Sequence, residues 1–399
     1  MPTPNLYDRT GGYPDSQVPP ALRNNRVDLF YVTDRMPETI DGSLVYGSRR
    51  SASVAYGSVI VEIGEGVSWE ELVELSGTQR RDHNPDVRVR SITELGRFPA
   101  TPRPFTVVDG APVEDPEVQS ELYRAEADFL KRLRERLEKV HDKDVLVYVH
   151  GFANSFADAA QSQAETWHFL GRRGVPILYT WPAARGGLFG YFIDRESGEF
   201  TIFHLKELLR LLASSPDVER IHILAHSRGT DVVTTALREL VIEARAAGRN
   251  PRESLRIANL VLAAPDLDLD IVRQRLMAEK FGPAIGQITI YTTQGDKALS
   301  ASQTLMSGVR FGRVQQSDLG ERERRIFTEV TNVNIIEVEG VSGMIGHAYF
   351  RSSPSASSDL ILILRGGSLP GEPDRPLRHE VLNFWTMPKN YPSPPAGQD

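Results

Sequence analysis

Ile221-His222-Ile223-Leu224-Ala225-His226-Ser227-Arg228-Gly229-Thr230 is the stretch that decides the fold. Strand-forming residues run into a serine boxed by small residues, and a helix-forming segment follows. That order reads as a nucleophile elbow, a strained strand-to-helix turn that lifts Oγ clear of the sheet. A serine hydroxyl is a weak nucleophile until a base takes its proton, so the turn serves to present Ser227 to such a base. The positions two before and two after the serine must be small, because they press on the neighbouring strand and helix. Ala225 and Gly229 stand there. The usual pattern is Gly-x-Ser-x-Gly, and alanine at 225 is tolerated where that position needs no extreme backbone angle.

Outward from the elbow the chain alternates between short β-branched runs and amphipathic segments from residue 144 onward. Strands are predicted at 145–149, 176–180, 221–225, 260–264, 288–293 and 333–338. Helices are predicted near 155–173, 202–213, 229–246, 268–280, 297–307 and 358–365. This alternation predicts an α/β fold with a mostly parallel central sheet flanked by helices. Residues 26–143 form an N-terminal extension: strands at 27–32 and 58–63, a polar, proline-spotted insertion or small subdomain at 64–112, and a long helix. That helix, from Asp115 to about Val140, carries Leu122, Ala125, Phe129, Leu130, Leu133, Leu137 and Val140 at helical spacing. Residues 1–25, rich in Pro, Gly and Asn, are expected as a flexible arm or a surface wrap, and residues 144–399 as the core with a C-terminal tail.

In such sheets ligands bind at the carboxyl ends of the strands, so the partners of Ser227 are sought there. A serine attacking a carbonyl needs a base, usually histidine, and an acid that fixes the histidine tautomer. Of nine histidines, His347 is the candidate base, on a glycine-flanked loop beyond the last strand predicted in the core. His150 and His226 sit beside motifs whose backbone they are placed to hydrogen-bond. His83, His141, His168, His204, His222 and His379 read as solvated or internally satisfied. Asp296, after the strand at 288–293, is the candidate acid and an equally good helix N-cap; Asp266, ending the previous strand in the same way, is its rival. The backbone N–H groups of Arg228 and of Phe152, in His150-Gly151-Phe152, are the candidate oxyanion donors. Trp181 and Phe189, in the aromatic, glycine-rich stretch 181–192, and His226 are candidates for contact with substrate.

Composition narrows the classes. With 399 residues, 40% of them hydrophobic, the chain has ample material for a buried core. A net charge of -7 without a dense Lys/Arg cluster argues against nucleic acid as a partner. The absence of cysteine excludes disulfides, thiolate metal sites and cysteine nucleophiles. No apolar run approaches the ~20 residues of a membrane span. The first residues lack the pattern of a secretory signal, which makes the cytoplasm the default compartment unless a leader has been removed.

Ser227, Asp296 and His347 in that chain order, with His150-Gly151-Phe152 upstream, make residues 144 to 366 resemble an α/β-hydrolase. Further motifs make the chain similar to the bacterial, esterase/lipase-like group of α/β-hydrolases of unknown function, DUF900. They are Phe30-Tyr31-Val32-Thr33-Asp34-Arg35, Tyr46-Gly47, Arg49-Arg50-Ser51, His150-Gly151-Phe152-Ala153-Asn154-Ser155-Phe156, Thr180-Trp181-Pro182, Leu262-Ala263-Ala264-Pro265-Asp266 and Gly346-His347-Ala348-Tyr349-Phe350. The resemblance implies the fold and a serine-hydrolase site, without fixing a substrate. Arg228 departs from the apolar residue expected there; it either brings positive charge to the pocket rim or turns away to pair with Asp231. The site then implies two-step acyl transfer on small-molecule carboxylic esters, of short to medium chain length or with bulky alcohols, without metal or organic cofactor. The same groups would serve a thioesterase, amidase or peptidase, and the competing class is a non-catalytic scaffold acting in binding.

Overall fold

Unbroken apolar runs become strands buried on both faces, and these make up most of a central sheet. A computed structural model describes residues 1–10, 12–80, 84–183, 186–306, 308–341 and 345–392. After helix α1 (Asn5–Thr10) come two long antiparallel strands, β1 (Arg26–Ile40) and β2 (Ser43–Ile63). Helix α2 (Trp69–Gly77), strand β3 (Val87–Arg97), the hairpin strands β4 (Phe105–Val108) and β5 (Ala111–Glu114), and helix α3 (Pro116–Leu137) complete the N-terminal part. The alternating part begins β6 (Asp144–Val149), α4 (Phe156–Phe169), β7 (Val175–Thr180), α5 (Leu188–Ser214), β8 (Arg220–His226), α6 (Gly229–Ala246). It continues with α7 (Pro251–Leu255), β9 (Ile257–Ala263), α8 (Leu269–Ile271), a π-helical turn (Val272–Met277) and β10 (Gln287–Thr292). Helices α9 (Lys297–Met306) and α10 (Glu321–Glu329), β11 (Val333–Val338), α11 (Tyr349–Ser352), α12 (Pro354–Gly366), β12 (Arg378–Val381) and β13 (Phe384–Met387) close the chain.

The main sheet runs β12-β13-β11-β10-β9-β8-β6-β7-β1-β2-β3. Every neighbouring pair from β13 to β1 is parallel, and antiparallel strands stand only at the two edges. Helix α3 shows why the N-terminal extension packs as it does. Asp115 caps it by accepting from the Glu117 and Val118 N–H groups, and Pro116 starts its first turn. Its apolar stripe buries Phe129, Leu133 and Leu137, and Phe129 stacks on Phe30 of β1 at 4.9 Å.

The structure departs from the sequence expectations in several places. The first residues wrap the surface rather than forming a flexible arm: Tyr7, Tyr13 and Val18 are buried, and the Asn5 amide donates to Ser355 and the Tyr391 carbonyl. The stretch 64–112 does not stand apart, because β3 hydrogen-bonds to β2 and forms the sheet edge; only the β4–β5 hairpin is separate. Helix α5 begins at Leu188, well before 202, through a stretch whose Gly190 and Gly198 weaken any helical reading. The helix expected at 268–280 breaks into α8 and the π turn. Beyond α12 the chain adds two more strands before any tail, since Ile335 and Ile336 of β11 leave an edge that β13 pairs. His83, Ala184, Arg185, Gly343, Met344 and 393–399 fall outside the described residues.

Candidate active site

The turn after β8 puts Ser227 in the left-handed region, φ 51°, where a non-glycine residue is strained by about 1–3 kcal/mol. Surrounding bonds over-determine it. The Ser227 N–H donates to the Ala263 carbonyl at 2.9 Å, and the Ser227 carbonyl accepts from the Thr230 hydroxyl at 2.6 Å and its N–H at 3.1 Å. Space explains the small neighbours. A Cβ on Gly229 would lie 2.4 Å from the His150 carbonyl oxygen, and one on Gly151 would lie 2.7 Å from Ser227 Cβ. Ala225 fits because it keeps ordinary strand geometry within β8, fully buried.

Strand ends converge on this serine. His347, in a short helical turn after β11, places Nε2 2.7 Å from Ser227 Oγ. Its Nδ1 lies 2.7 Å from Asp296 Oδ2. A carboxylate only accepts, so Nδ1 carries the proton and Nε2 is left to accept from the serine hydroxyl. Asp296 is fully buried just before α9, and its other oxygen accepts from the Leu299 N–H at 3.0 Å. The two roles weighed for Asp296, acid and helix cap, are therefore filled together, one by each oxygen. Burial pushes this carboxyl up, but the hydrogen bond and charge of His347, with the N–H groups of Leu299 and Ala298, hold it below the ordinary aspartate value.

Asp266, the rival, points elsewhere. It accepts from the Tyr191 hydroxyl at 2.8 Å and the Ser302 hydroxyl at 2.7 Å, with the buried Arg310 guanidinium 3.6 Å away. This corrects Asp266 as an alternative acid: its oxygens are committed to α5, α9 and Arg310. Tyr191 was not singled out by the sequence reading, yet it binds three site elements. Besides Asp266, its ring packs edge-on against Phe152 at 5.7 Å and lies under the Arg228 guanidinium at 5.7 Å. Of the two settings weighed for Arg228, the structure shows the pair with Asp231, at 3.5 Å.

The loop after β6 carries the other candidate donor. Among the described residues, neither the Phe152 nor the Arg228 backbone N–H has an acceptor. Buried groups shape this loop: Arg35 donates to the Asn154 carbonyl at 2.7 Å and the Gly47 carbonyl at 2.9 Å, and Asp194 accepts from the Ala153 N–H at 3.1 Å. Burial lowers Arg35 to about 10, which leaves it charged at neutral pH. Sequence reasoning gave neither residue a role, because an arginine at 1% exposure and an aspartate at 0% look like surface residues in a string.

Trp181 needs correcting as a substrate contact. It is fully buried, its indole N–H donates to the His150 carbonyl at 2.8 Å, and its ring stacks on His150 at 5.2 Å. It props the loop from behind. His150 and His226 hold backbone, as expected: His150 Nε2 accepts from the Trp181 N–H at 3.1 Å, and His226 Nε2 lies 3.0 Å from the His347 carbonyl oxygen. Burial pushes both imidazoles down to about 3, helped by the charge of Arg35 at His150. The side chain of Phe189 lies outside the described residues. Among the described residues no cluster of three or more His, Asp and Glu side chains is arranged to hold a metal ion, and no helix is long and apolar enough to cross a membrane.

A mostly parallel sheet flanked by helices, with a serine elbow after one strand and histidine and aspartate after later ones, defines an α/β-hydrolase. The chain belongs to the family described as alpha/beta hydrolase of unknown function (DUF900), which it matches over residues 125–364, more than half of its length. A comparison with curated proteins found no match.

Proposed function

We propose that this α/β-hydrolase cleaves carboxylic esters through a Ser227 acyl-enzyme. The observation that carries the reading is the row Ser227 Oγ, His347, Asp296, with 2.7 Å at each link. Ser227 Oγ attacks the carbonyl carbon while its proton passes to His347 Nε2, and Asp296 holds Nδ1–H and balances the imidazolium. The carbonyl oxygen becomes an oxyanion that takes hydrogen bonds from the Phe152 and Arg228 N–H groups. Collapse breaks the bond to the alcohol oxygen, which leaves with the proton from Nε2. Water then attacks the acyl carbon, gives its proton to Nε2, and returns Ser227 with release of the acid.

The connection between β9 and β10 holds only short helical segments, so no large cap comes from there. Beside Ser227 stand instead Phe152, of the loop after β6, and Tyr191, near the start of α5, with their rings packed edge-on. Such an open, partly aromatic site favours esters of short to medium acyl chains or bulky alcohols over long-chain lipids. Thioesters and amides would enter the same chemistry, and a substrate panel ranks them. Ser227→Ala should abolish hydrolysis of p-nitrophenyl butyrate and labelling by a fluorophosphonate, with an unchanged circular dichroism spectrum. Turnover or labelling that survives the substitution defeats the reading.

A further inference from the structure

Ser227, Asp296 and His347 all follow the carboxyl ends of parallel strands, and a large apolar cavity opens toward the other ends, reaching along the sheet as far as Leu262 and Phe311. It measures about 910 Å3 and is bounded by Ile288, near the start of β10, Val333, the first residue of β11, and Gly282 and Val330, which precede those strands. None of Ser227, Asp296 and His347 lines it. Protein interiors leave few voids larger than a water molecule. A space of this size falls instead within the roughly 300–1,000 Å3 of sites for small molecules.

Its chemistry divides into a floor and a mouth. Leu262, Val272, Leu276, Phe281 and Ile290 make the floor apolar, and the neighbouring Met277 is a flexible chain that conforms to what it touches. Helix α10 roofs it incompletely, burying Phe327 alone of its nine residues and leaving Ile326 37% exposed. Exposed Lys280, Arg322 and Arg325 also line the cavity, against the one acid Glu329. None of these three cations makes an ion pair among the described residues, whereas nearby Arg273 is paired with both Asp270 and Glu323.

We propose that this cavity is a second ligand site, which binds a single-chain aliphatic anion of the fatty-acid class. The tail lies on the floor, where burying each methylene removes apolar surface from water. The carboxylate sits at the mouth among Lys280, Arg322 and Arg325, which offer it charge-assisted hydrogen bonds. The assignment uses none of the chemistry of Ser227 and stands or falls without it.

Titration calorimetry of dodecanoate into the Ser227→Ala protein tests it, since that variant separates ligand binding from turnover. Dodecanoate should bind at one site, at least about tenfold more tightly than either hexanoate or dodecanol. Leu276→Trp, which fills the floor, should abolish binding, and the double substitution Arg322→Glu, Arg325→Glu should weaken it about tenfold or more. Melting temperatures of the unliganded variants check that they fold. Three results overturn the proposal: no binding to the parent; binding that both variants retain, which places the fatty acid at another site; or dodecanol binding as tightly as dodecanoate. A concentration-dependent dimer that Leu276→Trp dissociates, with dodecanoate not bound, would assign the face to a second copy and overturn it as well.

Discussion

Asp266 and Asp296 follow neighbouring parallel strands, β9 and β10, and both are almost wholly buried, at 4% and 0% exposure. The loops around them differ in what they bring to the carboxylate. Asp296 meets an imidazole and N–H groups of the first turn of α9. Asp266 meets two hydroxyls and a guanidinium. A strand end thus makes a buried acid available, and its partners decide what it does: one is placed to orient a base, the other to tie α5 and α9 to the strand end.

Exchanging each acid for its amide tests that contrast, and the largest effect is expected at Asp296. Asp296→Asn should lower kcat for ester hydrolysis by about 10^4-fold, because the amide no longer selects the Nδ1–H tautomer. Its side-chain oxygen still caps α9, so the urea midpoint should move little. A loss of less than tenfold would break the assignment of Asp296 as the orienting acid. Asp266→Asn should show the reverse: kcat within about tenfold of wild type, but stability lower by about 3 kcal/mol, since Arg310 loses its buried counter-charge. Equal kinetic losses in the two variants would erase the distinction between the loops.

The smallest expected effect concerns pH and extends the contrast to the imidazole beside His347. The folded-state value of His226 is lowered to about 3 from an ordinary value near 6.5. Between those values the unfolded chain binds a proton that the folded chain refuses, so this share of stability rises with pH and is lost on acidification below about 6.5. The slope approaches about 1.4 kcal/mol per pH unit well inside the window. His226→Gln should flatten the dependence of unfolding free energy on pH between 6 and 4 by roughly that amount, while Asp266→Asn should leave it in place. An unchanged slope in His226→Gln would show that the imidazole is protonated freely in the folded protein.

Much of this arrangement was legible because burial on both faces writes strands as unbroken apolar runs. The strand predicted at 333–338 matches β11, the helix at 229–246 matches α6, and the remaining strands of the core shift by one to three residues at their ends. Order along the chain then put Ser227, Asp296 and His347 at strand ends, where the structure brings them into one hydrogen-bonded row. Two kinds of feature escaped. Charged residues that serve inside the protein carry no local signal: Arg35, Asp194 and the network around Asp266 depend on partners up to 145 positions away, as in the Arg35 bond to Thr180. Tertiary pairing also overrode propensity, giving a helical start to α5 despite its glycines and an edge strand, β3, in a stretch of weak periodicity. Trp181 misled for a third reason, since an aromatic next to glycines suits a pocket wall and a buried prop equally well.

The two oxygens of Asp296 have a consequence for how such a protein can change over generations. One anchors the first turn of α9 and the other aims the imidazole. Substitutions that discard the side chain must also leave a helix start unsatisfied, at about 1 kcal/mol. Under the proposed mechanism, drift at this position is resisted twice, by folding as well as by chemistry. A lineage that gave up hydrolysis would still have a structural reason to keep the acid, so finding an aspartate here in a relative says less about its activity than finding the serine.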